Sequence, residues 1–149
     1  MSQEAARIDL DTSLGYLLKE ASAALRAAME RALKPLGMTI THYSCLELLA
    51  QRPGLSNSDL ARGAFVTRQS MNVLLQSLER DGQVSRASTP TSGKAIPTRL
   101  TPSGEQLLAE ATAAVRTVEL RMLSGLSSEE QDAARRMLRT MVACLNEGA

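Results

Sequence analysis

Two short, self-capped apolar segments, SNSDLARG at 56–63 and RQSMNVLLQSLERDG at 68–82, follow each other with only four residues between them. This pairing constrains the fold more than any other feature of the chain. Ser56 and Asp59 have the spacing of a capping box, in which the serine hydroxyl and the carboxylate each satisfy a free backbone N–H at a helix start. Leu55 before the cap and Leu60 after it can form a hydrophobic staple, so a helix is predicted over 57–63. Thr67 can cap the next helix, where Met71, Leu74, Leu75 and Leu78 fall at i, i+3, i+4 and i+7 and define a buried face. Gly82 takes the position where a helix ends in a positive φ.

The opposite face of that second helix carries Gln69, Val73, Gln76 and Arg80, with Asn72 and Ser77 at its borders and Arg68 at its N-terminal end. This face is amide-rich rather than acidic. Asn and Gln can hydrogen-bond the adenine edge bidentately in the major groove, and Arg can bind guanine or phosphate. The next segment is too short for another helix. It fits two strands at 83–87 and 95–100 joined by a Ser/Thr/Pro/Gly tip at 88–94. Pro97 leaves one backbone position unpaired, which an exposed two-stranded ribbon tolerates. Lys94, near the tip, is placed to meet phosphate or the minor groove.

Long helices flank this unit. Over 11–34, Leu14, Leu17, Leu18, Ala21, Leu25, Ala28, Met29 and Leu33 mark one helical face. Asp11 or Thr12 can cap its start, and Lys34-Pro35 is predicted to end it, because the residue before proline is pushed out of the α region. Such a helix is either plain core or part of a subunit interface. Thr39 can cap a helix carrying Tyr43, Leu46, Leu48 and Leu49, which runs out at Arg52-Pro53-Gly54. Thr101-Pro102 pairs a cap with proline at the first helical position and opens a helix from Leu107 to Leu123. Ser127 with Glu130 gives a second capping box, ahead of a last apolar face from Ala133 to Leu145.

Composition agrees with a mainly helical chain of 149 residues, since Ala and Leu dominate and the aromatics are Tyr16, Tyr43 and Phe65 alone. Net charge is only +1. Its distribution is uneven: residues 52–104 hold seven basic side chains against three acidic ones, and the rest of the chain ten against thirteen. A basic middle between acidic ends suits a chain that faces a polyanion with one region only. Cys45 and Cys144 belong to no Cys/His cluster, and His42 cannot build a metal site alone, so neither metal nor cofactor is expected. There is no nucleophile–base pair and no phosphate-cradling glycine loop, which argues against an enzyme. The N-terminal residues lack a signal peptide's apolar run, and no apolar span reaches about 18 residues, so a cytoplasmic protein with no membrane partner is expected.

Two short helices, the second exposing amides and Arg, followed by a hairpin, read as a winged helix-turn-helix. Here the sequence resembles the MarR family of transcriptional regulators, in the GLSNSDLA entry, the VTRQSMNVLLQSLERDGQV run and the RLTPSGEQLL opening of a long helix. The resemblance covers nearly the whole chain. It implies a single domain over 1–149, mainly α with a small β hairpin, with dimerisation helices at 10–34 and 102–147 and a winged-helix DNA-binding lobe at 39–101. It also implies a homodimer on double-stranded DNA at pseudo-palindromic operators, repressing until a small aromatic or anionic ligand, or an oxidant, releases it. Carried over by position, Arg68, Gln69, Ser70, Asn72, Val73 and Gln76 face the groove, Arg68 and Ser70 at the side where phosphate contacts suit them. Family wings carry an Asp-x-Arg-Arg-like run, whereas this chain reads Pro90-Thr91-Ser92-Gly93-Lys94-Ala95. Lys94, the nearest match, is a point charge without a planar fork, so this wing is expected to add affinity with little specificity.

The family's ligand pocket lies between the dimer helices and the DNA-binding lobe, which makes Tyr16, His42, Tyr43 and Cys45 the effector-site candidates. Each also has a plain role: Tyr43 as a core or interface ring, His42 bonding locally, Cys45 as a small buried hydrophobe. Cys144 lies at the end of a helix away from the dipole that would activate it, so thiol sensing is a separate alternative with no activated cysteine behind it. A constitutive architectural DNA-binding protein, and an interaction module that has lost DNA binding, remain as rivals. Val73 at the centre of the outward face is the best argument for the latter.

Overall fold

A computed structural model describes residues 6–86 and 98–147. Helix α1 spans Leu14–Leu33, α2 Ile40–Gln51, α3 Asn57–Gly63 and α4 Arg68–Arg80. Strands β1 (Val84–Arg86) and β2 (Thr98–Leu100) follow, then α5 (Pro102–Leu123) and α6 (Ser128–Asn146). The strands pair antiparallel with Val84 opposite Leu100, Ser85 opposite Arg99 and Arg86 opposite Thr98. Of the expected strands 83–87 and 95–100, residues 87 and 95–97 lie outside the described residues. The hairpin tip, with Lys94 and Pro97, lies outside the described residues.

Most of the local signals act as anticipated. Ser56 and Asp59 form a reciprocal capping box on α3, and Ser127 and Glu130 one on α6. Thr39, Thr67 and Thr101 each accept a backbone N–H at the start of their helices. One boundary differs, and another is reached by a different route. The cap of α1 is Ser13, whose Oγ accepts the Tyr16 N–H at 3.2 Å, rather than Asp11 or Thr12. The reason is Asp9: its carbonyl accepts the N–H groups of Thr12 and Ser13, and its side chain that of Asp11, so the chain is still turning there.

At the other end of α1, Lys34 does not leave the helical region before Pro35; its φ and ψ are −55° and −45°. The chain tightens into one 3₁₀ turn, Lys34–Leu36, in which proline sits near the start and its missing donor is not required. Gly37, at φ 69°, stops the run instead. Its N–H bonds back to Lys34 O at 2.9 Å and that of Met38 to Leu33 O at 3.3 Å, the paired bonds of a Schellman motif.

Leu33, Met38, Cys45, Leu46, Leu49, Leu60, Met71, Leu75, Leu78, Val84 and Leu108 make one continuous core under α2, α4, the hairpin and the first half of α5. The hairpin is tied to this body at its base. Thr101, which caps α5, also donates its hydroxyl to Gly82 O at the end of α4, and its N–H bonds to Gln83 O at 3.0 Å. The approach is so close that a Cβ on Gly104 would stand 2.1 Å from Gln83 O, so only glycine fits in this first turn of α5. The terminal helices behave differently: α6 buries none of its residues, and Leu14, Leu17 and Leu18 of α1 and Met137, Val142 and Leu145 of α6 stand open.

Candidate nucleic-acid interface

Helix α4 is positioned by what it buries. Met71, Leu75 and Leu78 are fully enclosed, so the helix cannot rotate without opening the core, and the opposite face is fixed outward. Arg68, Gln69, Ser70, Val73 and Gln76 are all exposed on it, as the spacing predicts. Val73, 62% exposed, makes an apolar centre among the amides and can pack on a thymine methyl. Ser70 is partly engaged, because Thr67 Oγ1 donates to its hydroxyl at 3.0 Å.

Asn72 is placed differently from the other groove candidates. It is half-buried on the seam with α3, where its Oδ1 accepts from Asn57 Nδ2 at 3.2 Å. Bidentate adenine reading uses that oxygen, so the bond from Asn57 competes with it and ties Asn72 to the seam. The periodicity of α4 alone could not show this, since the partner sits fifteen residues earlier on another helix.

The four effector candidates do not converge. Tyr16 stands on the exposed side of α1. His42 Nε2 meets Gln83 Oε1 at 2.7 Å, joining α2 to the start of the hairpin. The Tyr43 hydroxyl donates to Glu47 Oε2 at 2.8 Å, Thr112 Oγ1 donates to the same oxygen at 3.2 Å, and Gln51 Nε2 reaches the other oxygen at 2.6 Å. Partial burial works to raise the Glu47 carboxyl, but the bonds from Gln51, Tyr43 and Thr112 outweigh it and hold the group below the usual carboxylate range. The Tyr43 phenol is pushed up to about 12, first by burial and then by Glu47. Cys45 is wholly enclosed, and burial pushes its thiol up to about 12 against the pull of the nearby Arg86 charge. A thiol so raised is not a thiolate at neutral pH and is a poor sensor.

Sequence reasoning overlooked a polar pair at the base of the hairpin. Arg86 and Thr98 stand opposite each other on its inward face, and Arg86 Nε, Arg86 Nη2 and Thr98 Oγ1 are buried with no hydrogen-bond partner among the described residues. Glu79 Oε2 lies 3.5 Å from Arg86 Nε, close enough for charge attraction but too far for a hydrogen bond. Thr98 also lines a groove of about 980 Å³ between the end of α2, β2 and α5, with Leu49, Pro53, Leu100 and Leu108 as apolar walls and Arg99 and Glu105 beside them. Alternation along β1 placed Arg86 on the same face as buried Val84, which was the available signal.

A family model described as the MarR family matches residues 36–95. Over 128 residues the chain is 44% identical to the HTH-type transcriptional repressor Rv2887 of Mycobacterium tuberculosis, covering 86% of this chain and 92% of the relative. The chain belongs to the MarR family of transcriptional regulators. Solved structures of M. tuberculosis Rv2887 superpose on this MarR family member: a complex with salicylic acid at 42% identity and TM-score 0.72, covering 87% of this chain and 96% of that one. A complex with DNA matches at 41% identity and TM-score 0.73, covering 87% and 98%. In this family member α3, α4 and the paired strands form the winged helix-turn-helix, and no described helix is long and apolar enough to cross a membrane.

Proposed function

We propose that this chain is a homodimeric, sequence-specific DNA-binding repressor acting at pseudo-palindromic operators and released by a small aromatic carboxylic acid. The observation that carries the reading is the exposed face of α4. Gln69 and Gln76 flank Val73, with Arg68 at the helix start, and none of these side chains has a hydrogen-bond partner among the described residues. The open apolar faces of α1 and α6 supply the dimer contact, and a symmetric pair presents two recognition helices about 34 Å apart. Lys94, which lies outside the described residues, is read from the sequence alone as adding a phosphate contact.

For the effector, the relative solved with salicylic acid supports the ligand class, and the unpaired polar atoms of Arg86 and Thr98 support the seat. Thr98 lines the groove and faces Arg86 across the strand pair, so a carboxylate in the groove is drawn towards the guanidinium charge, and the groove walls accept an aromatic ring. This moves the effector site away from Tyr16, His42, Tyr43 and Cys45, whose polar groups are engaged, enclosed or remote from the groove lining. An acid wedged at the hairpin base shifts the wing relative to α4.

The experiment is selection of bound duplexes from a random library by the purified protein, followed by footprinting with and without salicylic acid. Discrete protected palindromes that disappear with the acid are expected. Uniform coverage indicates an architectural protein, and protection indifferent to the acid removes the effector half. Arg86→Met is expected to keep operator binding and raise the acid concentration needed for release at least about tenfold, the scale of a partly buried charge attraction.

A further inference from the structure

Among the described residues three Schellman motifs end helical segments, and they differ in one residue. At Gly37 and Gly82 the left-handed position, with φ 69° and 74°, is glycine. The third ends α3: the Phe65 N–H bonds to Arg62 O at 3.2 Å and the Val66 N–H to Ala61 O at 3.0 Å, matching the bonds of Gly82 to Glu79 O at 3.1 Å and Gln83 to Leu78 O at 2.9 Å. The residue in the left-handed position there is Phe65, at φ 60°, the only non-glycine with positive φ among the described residues. A bulky side chain is disfavoured in that conformation, so local folding gives no reason for it.

Packing gives no reason either. The Phe65 residue is 93% exposed, more than any other large apolar side chain described. Most of the others lie on the N-terminal arm and on α1, α5 and α6, whereas among the described residues of the DNA-binding lobe only Phe65 and Val73 are so exposed. These two bracket the first turns of α4, and Phe65 stands two residues before its cap, beside exposed Arg68.

We propose that Phe65 is a DNA contact, its ring packing on an apolar edge of the duplex where the helix-turn-helix elbow meets the strand. Resting on the reading of this chain as a DNA-binding repressor, the proposal adds an uncharged contact to the amides and guanidinium of α4. Deoxyribose faces and thymine methyl groups are the apolar surfaces that a duplex offers at a groove edge. The left-handed turn fixes the direction of Cβ, so the ring is held out rather than folded back onto α3.

Phe65→Gly separates this role from a structural one, because the substitution relieves the backbone while removing the ring. Thermal stability equal to or above that of the wild type is expected, with affinity for the duplex selected by the wild-type protein weakened about tenfold. The salt dependence of binding should not change, since no charge is lost, whereas Arg68→Ala should reduce it. Equal weakening on random duplex identifies the sugar; loss only on the selected duplex, reproduced by replacing thymidine with deoxyuridine, identifies the methyl. Unchanged affinity overturns the proposal, as does a Phe65→Gly variant whose lost binding follows a weakened dimer in sedimentation. Failure of the wild-type protein to enrich any duplex would remove the DNA-binding reading itself, whereas wild-type binding that survives Phe65→Gly removes this inference alone.

Discussion

Gly104 shows how one position can couple two elements. Its missing Cβ lets the first turn of α5 rest on the Gln83 carbonyl, and the clash a methyl would make is with backbone, which cannot swing aside. Gly104→Ala should therefore lose about 1–3 kcal/mol in denaturant unfolding, the scale of an overpacked site, whereas Gly125→Ala, where a Cβ meets open space, should cost much less. Equal effects would mean that the hairpin base shifts freely.

Glu47 and Tyr43 give stability a pH dependence at both ends. The carboxyl of Glu47 is depressed in the fold, so its contribution is complete above the ordinary carboxylate range and is lost as pH falls through the lower, folded value. The phenol of Tyr43 is raised to about 12 from 10, so its contribution is complete below pH 10 and is lost as pH climbs towards 12. Tyr43→Phe should flatten the alkaline loss of melting temperature and, by removing one donor to Glu47, soften the acid loss as well. An unchanged alkaline limb in that variant would place its origin elsewhere.

Among the elements, α4 divides its residues between reading and holding. Gln69→Ala should weaken operator binding by about 1–3 kcal/mol and relax base preference at one position, with stability unchanged. Asn72→Ala should do less to base preference and more to stability, because Asn72 Oδ1 receives Asn57 Nδ2 across the α3–α4 seam. Base-preference tables from duplex selection with each variant, set beside their melting curves, check both. In the wing, Lys94→Ala should weaken operator and random duplex alike and lower the salt slope; selective loss on the operator would show that this lysine reads the groove.

Element boundaries were legible wherever a side chain bonds its own backbone a few residues away. The capping boxes at Ser56 and Ser127, the threonine caps and the stop at Gly82 are all of that kind. The start of α1 was misread because Asp9, four residues before the cap Ser13, accepts the N–H groups of Asp11, Thr12 and Ser13 and keeps the chain turning there. The end of α1 falls at Lys34-Pro35 as expected, but not by the expected route: a pre-proline residue is only biased away from the helix, and a 3₁₀ turn accommodates proline. The face of α4 was legible from its period, while the engagement of Asn72 was not, since hydrogen bonds between helices carry no period.

At the scale of the whole molecule, the described core stops short of the helix ends. With α6 burying nothing and large apolar residues open on α1, α5 and α6, the protomer has apolar surface that a second copy can cover. Met137→Glu with Val142→Glu should shift sedimentation towards monomer and abolish tight operator binding, because one half-site supplies only half the contacts. A double variant that remains dimeric and keeps operator affinity would remove α6 from the interface.

The sequence by itself determined the helix-turn-helix and its flanking helices, the caps, and which side of α4 faces outward. All of these follow from interactions within about a turn of chain or from a repeating apolar period. Only the tertiary structure decided that Arg86 and Thr98 share a buried edge without partners among the described residues, that His42, Tyr43 and Cys45 face different neighbours, and that Phe65 stands open in a left-handed turn. Those facts depend on which distant segments come into contact and on what is left unpaired when they do. No local pattern of residues encodes that.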